Sequence, residues 1–322
     1  MTKFTIDTHT IYLFYYLFNF TLLLLEDFMS LNFNEKNAIE INSLSKEFKN
    51  FSIKDLNLNI PKGCITGFIG QNGAGKSTTF KAILNIISID GGKIKVFGAD
   101  NIQEETQIKE NVGVVFDTSC FHPKLKIKQL NTIMKNIYKK WEEKTFFDYL
   151  EKFNIHKDKR VGELSRGMQM KLQIAIALSH QAKLLIMDEP TGGLDPIVRN
   201  EILDIFMDFI QDDTHTVFLS SHIITDIERI ADYIVFIANG KLLISEDKET
   251  MASRHGIIRC TPEQFNTIDK ADIINSRKST FGMEVLTGDI EKAKQKYSDL
   301  ICEKTSLEEI MLFYVKGHEG KE

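Results

Sequence analysis

Cysteine is scarce and badly placed for a framework. Only Cys64, Cys120, Cys260 and Cys302 occur, and no two form a C-x-x-C pair. That argues against a disulfide scaffold or a zinc site and fits a reducing compartment. A basic surplus is also missing. The formal net charge is −5, which gives no support to a nucleic-acid surface. No internal repeat or low-complexity linker is present. Nor is there a run of the roughly twenty apolar residues that a spanning helix wants. The longest apolar stretch, Ile11 to Leu25, is broken by Asn19 and Thr21 and followed by Glu26 and Asp27. As a secretory leader it lacks a basic start, with Lys3 set against Asp7, and no small-residue cleavage site follows. Three readings of this stretch stand. The leading one is an upstream extension with Met29 as the true start. The others are an anchor lying on a membrane surface and a spanning helix.

What is present is ordinary in bulk and specific in detail. The 322 residues, 43% apolar and 26% charged, suit one large globular domain with an appendage, or two domains. Within them, Gly70-Gln71-Asn72-Gly73-Ala74-Gly75-Lys76-Ser77-Thr78 fits G-x-x-x-x-G-K-S/T, the phosphate-binding loop. An apolar run, Ile65 to Ile69, reads as a buried strand before it, and a helical pattern, Thr79 to Ile87, follows. In that context the glycines let backbone N–H groups turn toward phosphates, and the helix N-terminus adds its dipole. Lys76 would reach the β- and γ-phosphates, and the Ser77 hydroxyl would ligate magnesium.

A second apolar run, Leu184 to Met187, ends in Asp188 and Glu189. A buried strand would deliver both carboxylates to its C-terminal end, where ligands of open α/β sheets sit. Asp188 suits magnesium, directly or through water. Glu189 suits the base that orients or deprotonates an attacking water. A third run, Thr216 to Leu219, carries His222 to the same edge and so toward a γ-phosphate.

With these residues in order, the chain resembles the ATP-binding cassette (ABC) family, the nucleotide-binding subunits of ABC transporters, from about Ile39 to about Ser245. Gly70 to Thr78 matches Walker A, and Leu185 to Glu189 is similar to Walker B. Leu164-Ser165-Arg166-Gly167-Met168 looks like the LSGGQ signature. Gly192-Gly193-Leu194-Asp195 resembles the D-loop, and Ser220-Ser221-His222 the switch-histidine segment. The resemblance implies that Phe48 stacks on adenine and that Ser165 and Gly167 contact a γ-phosphate. Three positions in two segments depart from the family pattern. Arg166 and Met168 replace a glycine and a glutamine in the signature, which puts the strength of the dimer contact in doubt. Asp117 stands where the family usually has a glutamine that senses magnesium and links to the membrane partner. As a carboxylate, Asp117 would be a stronger magnesium ligand; alternatively it points to solvent.

The fold expected is α/β: a P-loop NTPase core with an antiparallel β edge subdomain, an inserted helical subdomain and a small C-terminal α+β appendage. Residues 1–36 are read as an extension, non-native or disordered, 37–246 as the ABC ATP-binding domain and 247–322 as an accessory domain. Strands are expected at Ile39 to Phe48, Phe51 to Ile60 and Lys93 to Phe97, the last after a turn at Asp90-Gly91-Gly92. Leu125 to Trp141 and a stretch around Phe146 to Phe153 read as amphipathic helices whose aromatics are core. Arg166 to Leu178 is a helix, and Asn239-Gly240 a hairpin turn. Beyond Glu246, Gly256 to Cys260, Ala271 to Asn275, Met283 to Thr287 and Leu300 to Glu303 read as strands. Ile290 to Tyr297 and Ser306 to Tyr314 read as helices. His255 and His318 are expected in solvent.

The function implied is an ATPase using ATP and Mg2+, the motor subunit of a transporter. It would close head to tail as a homodimer or paired cassette and drive a separate ABC permease from the cytoplasmic face of the membrane as a peripheral subunit. Subunits of this look pair with exporter-type permeases, and no nucleic acid is expected as partner. The rival is a soluble ABC ATPase acting on ribosomes or DNA. Against it, the chain has one cassette where translation-type members have two, and no coiled coil interrupts the cassette. A pseudo-ATPase would need a damaged Lys76, Asp188 or Glu189, and all three are intact. A chain begun at Met29 is expected to match the full chain in melting temperature and ATPase rate; loss of folding in the shorter chain overturns that reading.

Overall fold

A computed structural model describes residues 36–280 and 282–319. The expectations for residues 1–28 and for the His318 side chain lie outside the described residues. Strand β1 (Asn37–Phe48) forms an antiparallel hairpin with β2 (Phe51–Pro61). Alternation turns Ile39 and Ile41 inward, then skips a residue to Leu44; on β2 it skips from Ile53 to Leu56. Ser43 and Asp55, both at φ 52°, are the extra residues. Each is a β-bulge that resets the register and keeps the apolar set on one face.

β3 (Ile65–Ile69) is buried throughout and feeds α1 (Lys76–Ile83). That helix starts and ends earlier than the sequence pattern suggests. Gly75, at φ 115°, caps its N-terminus directly from the loop, and Asn85, at φ 51°, turns the chain away. β4 (Gly91–Val96) and β5 (Ala99–Asp100) complete the first sheet, in the order β2-β1-β4-β5. The turn expected at Gly91-Gly92 is instead the start of β4. Gly92 lies against the β1 bulge at φ 92°, and a Cβ there would meet the Ser43 carbonyl oxygen at 2.5 Å.

α2 (Glu105–Glu110) leads to β6 (Val112–Val115). Then come α3 (Ile127–Ile137), α4 (Glu143–Lys152) and α5 (Arg166–Leu178). The aromatic stripe here is core: Phe146 is fully buried, and Tyr138, Trp141 and Phe147 pack on the same cluster. α3 stops before Trp141 because tertiary partners hold the residues after Ile137. Tyr138 is extended, its ring stacked 3.9 Å from that of His180, and the Trp141 indole donates to Asn131.

The chain continues through β7 (Leu184–Asp188), α6 (Pro196–Phe209), β8 (Thr216–Ser221), α7 (Ile224–Ile230), β9 (Tyr233–Ala238) and β10 (Lys241–Asp247). The second sheet has the order β10-β9-β3-β8-β7-β6. All its neighbours are parallel except β10, which returns on β9 through Asn239 and Gly240, both at positive φ, as a type I′ turn requires. The start of helix α6 is signalled in the sequence. Asp195 accepts from the N–H groups of Ile197 and Val198 with Pro196 at the first helical position, the usual asymmetry. Phe68, Phe80 and Phe218 pack with ring centroids 4.9 to 5.7 Å apart, within the core shared by the first two sheets.

α8 (Lys248–Arg254), β11 (Gly256–Cys260), α9 (Pro262–Phe265), β12 (Asn275–Ser279), β13 (Gly282–Thr287), α10 (Ile290–Lys296), β14 (Ile301–Lys304) and α11 (Leu307–Glu319) follow. Their strands form an antiparallel sheet, β12-β13-β11-β14. The strand expected at Ala271 to Asn275 is not there. Asp269 caps a 3-10 turn over Lys270–Asp272, and Lys296 and the Tyr297 hydroxyl tie Asp272 down. The strand begins at Asn275 instead.

His255 is likewise not in solvent. It is fully buried, with Nδ1 3.0 Å from the Met251 carbonyl and Nε2 3.2 Å from the Tyr314 hydroxyl. Helix α11 supplies Tyr314, so a residue 59 positions away provides the cover. Burial lowers the pKa of His255, and also that of His180, which is buried between α5 and β6. The folded state therefore binds fewer protons than the unfolded one once the pH drops below the ordinary histidine value of about 6.5. This stability is complete above that pH and is lost below it. The melting temperature is expected to fall between about pH 7.5 and about pH 5.5, and His255→Gln to reduce the fall. A pH slope unchanged by that substitution removes His255 from the account.

Candidate nucleotide site

Four chain segments meet at the C-terminal edge of the parallel sheet around one cavity: the loop after β3, the loop after β6, the end of β7 and the end of β8. The first loop is fixed from behind. A Cβ on Gly70 would lie 2.4 Å from the Ile237 carbonyl oxygen, and one on Gly75 3.0 Å from the Phe51 ring. The buried Ala74 accepts from the Gly240 N–H at 2.9 Å. Asn72, Gly73, Gly75, Lys76, Ser77 and Thr78 then face a cavity of about 400 Å3, whose other wall holds Asp117, Asp188 and Glu189. That volume lies in the range of small-molecule pockets.

Lys76 is buried. Its ammonium donates to the Gly70 carbonyl at 2.7 Å and to that of Gln71 at 3.4 Å, and lies 3.5 Å from Glu189 Oε1. Asp188 is also buried and accepts from the Ser220 hydroxyl at 2.7 Å; the same hydroxyl accepts from the Glu189 N–H at 2.9 Å. Glu189 sits at φ 52°, a strained conformation for a non-glycine residue of the kind that gathers at working sites. Its two oxygens differ. Oε2 accepts from the His222 N–H at 3.2 Å and lies 2.6 Å from His222 Nδ1. Oε1 is buried with no hydrogen-bond partner. Lys76, Glu189 and His222 thus form one chain of charge and hydrogen bonding, with one acceptor left open beside the phosphate loop.

The remaining expected residues divide. Phe48 is exposed at the hairpin tip, its ring stacked at 6.4 Å on Phe51, and it is Phe51 that lines the cavity. Ser165 and Gly167 do not meet the phosphate loop within this chain. They line a separate cleft of about 250 Å3 with Gly193, Leu194 and Asp195, where the Ser165 hydroxyl caps α5 by accepting from the Met168 N–H. Asp117 lines the phosphate cavity, but its carboxylate is paired with Arg166 at 2.5 Å.

Two contributors escaped the sequence reading. The signal for Phe51 is a second aromatic three residues after Phe48. The signal for Ser220 was its place in the segment ending at His222. The four cysteines are free, and burial pushes the Cys64 thiol up to about 11, so that thiol is no nucleophile.

Residues 53–192 match the ABC transporter family. The bacitracin transport ATP-binding protein BcrA of Bacillus licheniformis is 36% identical over 194 residues, 60% of this chain and 63% of that protein. This chain therefore spans less than two thirds of that relative. The ABC transporter ATP-binding protein YtrB of Bacillus subtilis is 32% identical over 205 residues, 63% of this chain and 70% of YtrB. The lantibiotic transport ATP-binding protein SrtF of Streptococcus pyogenes is 34% identical over 215 residues, 65% of this chain and 90% of SrtF. Among solved structures, cbiO1 from Clostridium perfringens, part of the ABC transporter complex cbiONQ, superposes with a TM-score of 0.57 at 25% identity. The match covers 66% of this chain and 89% of cbiO1. An ATP binding subunit of an ABC transporter gives 0.62 at 24% identity, over 71% of this chain and 93% of that one, a likeness of fold. On the ordered motifs, the sheet-edge site and these matches, the chain belongs to the family of ABC transporter ATP-binding proteins.

Proposed function

We propose that this chain is the ATP-hydrolysing subunit of an ABC transporter, which drives a separate membrane permease by closing head to tail with a second cassette. The observation that carries hydrolysis is Glu189: one oxygen held by His222, the other buried, without a hydrogen-bond partner and 3.5 Å from the Lys76 ammonium. A base needs a free acceptor within reach of the water it activates, and Oε1 is one. The resting partners of Lys76 are two loop carbonyls, which it would exchange for the β- and γ-phosphates. The loop N–H groups and the N-terminus of α1 would hold the phosphates, and the aromatic pair Phe48 and Phe51 offers faces for the adenine.

Mg2+ is commonly held by one or two carboxylates with waters and substrate phosphates, and Ser77, Asp117 and Asp188 line one cavity with the phosphate loop. Asp188 and Ser77 are the ligands proposed, with Asp117 within the same wall. Bound there, the cation would neutralise charge on the β- and γ-phosphates.

The separation of Ser165 and Gly167 from the phosphate loop supports the dimer. A signature unable to serve its own loop can serve a second copy's across a twofold axis. The permease is a proposal from the relatives, whose names concern bacitracin and lantibiotic transport. They support transport of a peptide-like or drug-like cargo, and the reading places the chain as a peripheral subunit at the membrane. No helix among the described residues is long and apolar enough to cross a membrane. Residues 247–322 are proposed to be an accessory domain.

Glu189→Gln is expected to lower ATP turnover by about 10²–10⁴-fold while ATP still binds and the variant dimerises with ATP on gel filtration. Turnover near that of the unmodified chain removes Glu189 from its role. Ser220→Ala removes the hydroxyl that bridges Asp188 and the Glu189 N–H, and is expected to cost about 1–3 kcal/mol of stability and to slow turnover. Denaturant unfolding and an ATPase assay check both effects.

A further inference from the structure

Two of the departures from the family pattern, Asp117 and Arg166, are one contact in space: the Arg166 guanidinium meets the Asp117 carboxylate at 2.5 Å, across 49 positions of sequence. Asp117 lines both the phosphate cavity and a neighbouring cavity formed with Arg166, Phe121 and Gln169. Arg166 also borders the signature cleft. There its guanidinium fills the space that a Cβ on Gly193 would occupy, at 2.9 Å. One guanidinium therefore touches the 117 loop and the segment following Glu189, from its place at the N-terminus of α5.

The charges give this contact a direction. Asp117, Asp188 and Glu189 share one cavity wall, where a triphosphate would add further negative charge. Lys76 sits against Glu189, and Arg166 is the cation on Asp117. Like charges repel unless a cation lies between them. Two cations can serve Asp117: the guanidinium, or a divalent ion held at Asp188 and Ser77. Both side chains of the ion pair are about half exposed, and an exposed pair of this kind is weak, so the carboxylate can change partners at small cost.

We propose that Arg166 is a positioning residue that holds Asp117 and competes with Mg2+ for its carboxylate, so that entry of the metal nucleotide releases the 117 loop from the signature helix. The inference rests on the nucleotide site proposed above.

The test is binding of trinitrophenyl-ATP to the full chain, followed by fluorescence, first in EDTA and then with Mg2+ titrated at fixed nucleotide. Arg166→Ala frees Asp117. It is expected to lower the Mg2+ concentration at half effect by about two- to fivefold, the strength of such a pair, and to weaken metal-free binding. Asp117→Asn is expected to raise the Mg2+ requirement, and in that background Arg166→Ala should no longer shift it. Melting temperatures confirm that the variants are folded. A Mg2+ curve unmoved by Arg166→Ala, or moved equally in both backgrounds, overturns the proposal. So does an unchanged curve for Asp117→Asn alone, which decides the matter if Arg166→Ala does not fold. Failure of the unmodified chain to bind the nucleotide even with Mg2+ sinks the nucleotide site itself and this inference with it; binding with unshifted curves sinks only the inference.

Discussion

A buried lysine facing a mostly buried carboxylate at the open edge of a parallel sheet is the contact on which the rest of this structure turns. Lys76 and Glu189 lie 3.5 Å apart, nearly out of solvent. Taking two charges from water is expensive, and their attraction repays it only with good geometry and further hydrogen bonds. Here those bonds are incomplete by design of the backbone: Lys76 leans on two loop carbonyls, and one oxygen of Glu189 has no donor. A polyphosphate with a bound water would satisfy both groups at once. The pair is therefore better explained as a poised site than as a source of stability.

The surrounding architecture follows from holding that pair. Parallel strands end together, so β3, β7 and β8 bring a phosphate loop, two carboxylates and a histidine to one edge although they are far apart in sequence. The Ser220 hydroxyl locks β7 to β8 at this edge, and the hairpin of β1 and β2 lays Phe51 against Gly75 of the loop. The helical insertion places the signature in a cleft of its own. It stays connected to the cavity through Arg166 and Asp117, whose exposed, weak ion pair contrasts with the buried one at the centre.

The C-terminal sheet is attached through specific contacts. Leu307 N–H donates to Glu228 on α7, and α11 closes over His255 through Tyr314. A neutral imidazole there makes two hydrogen bonds away from water, so the attachment itself is sensitive to acid. Asp272, held far down by Lys296 and Tyr297, shows how this region replaces hydrophobic bulk with a local polar network.

By itself the sequence determined what is local. Glycine spacing, a lysine followed by hydroxyls, an apolar run ended by two acids and Asn-Gly between two strands each carry their geometry within a few residues, because backbone dihedrals and short hydrogen bonds decide them. The helix from Arg166 to Leu178 was legible for the same reason. Tertiary structure decided what depends on partners distant in sequence. It shortened the helix before Tyr138 by stacking that ring on His180, moved a strand from Ala271 to Asn275 by capping a turn at Asp269, and buried His255 under Tyr314. It also put Phe51 at the cavity wall, split Ser165 and Gly167 from the phosphate loop, and paired Asp117 with Arg166. The Asp269 cap is local, but the contacts of His255 with Tyr314, Tyr138 with His180 and Asp117 with Arg166 have no local signature, because which elements pack together is a property of the whole chain.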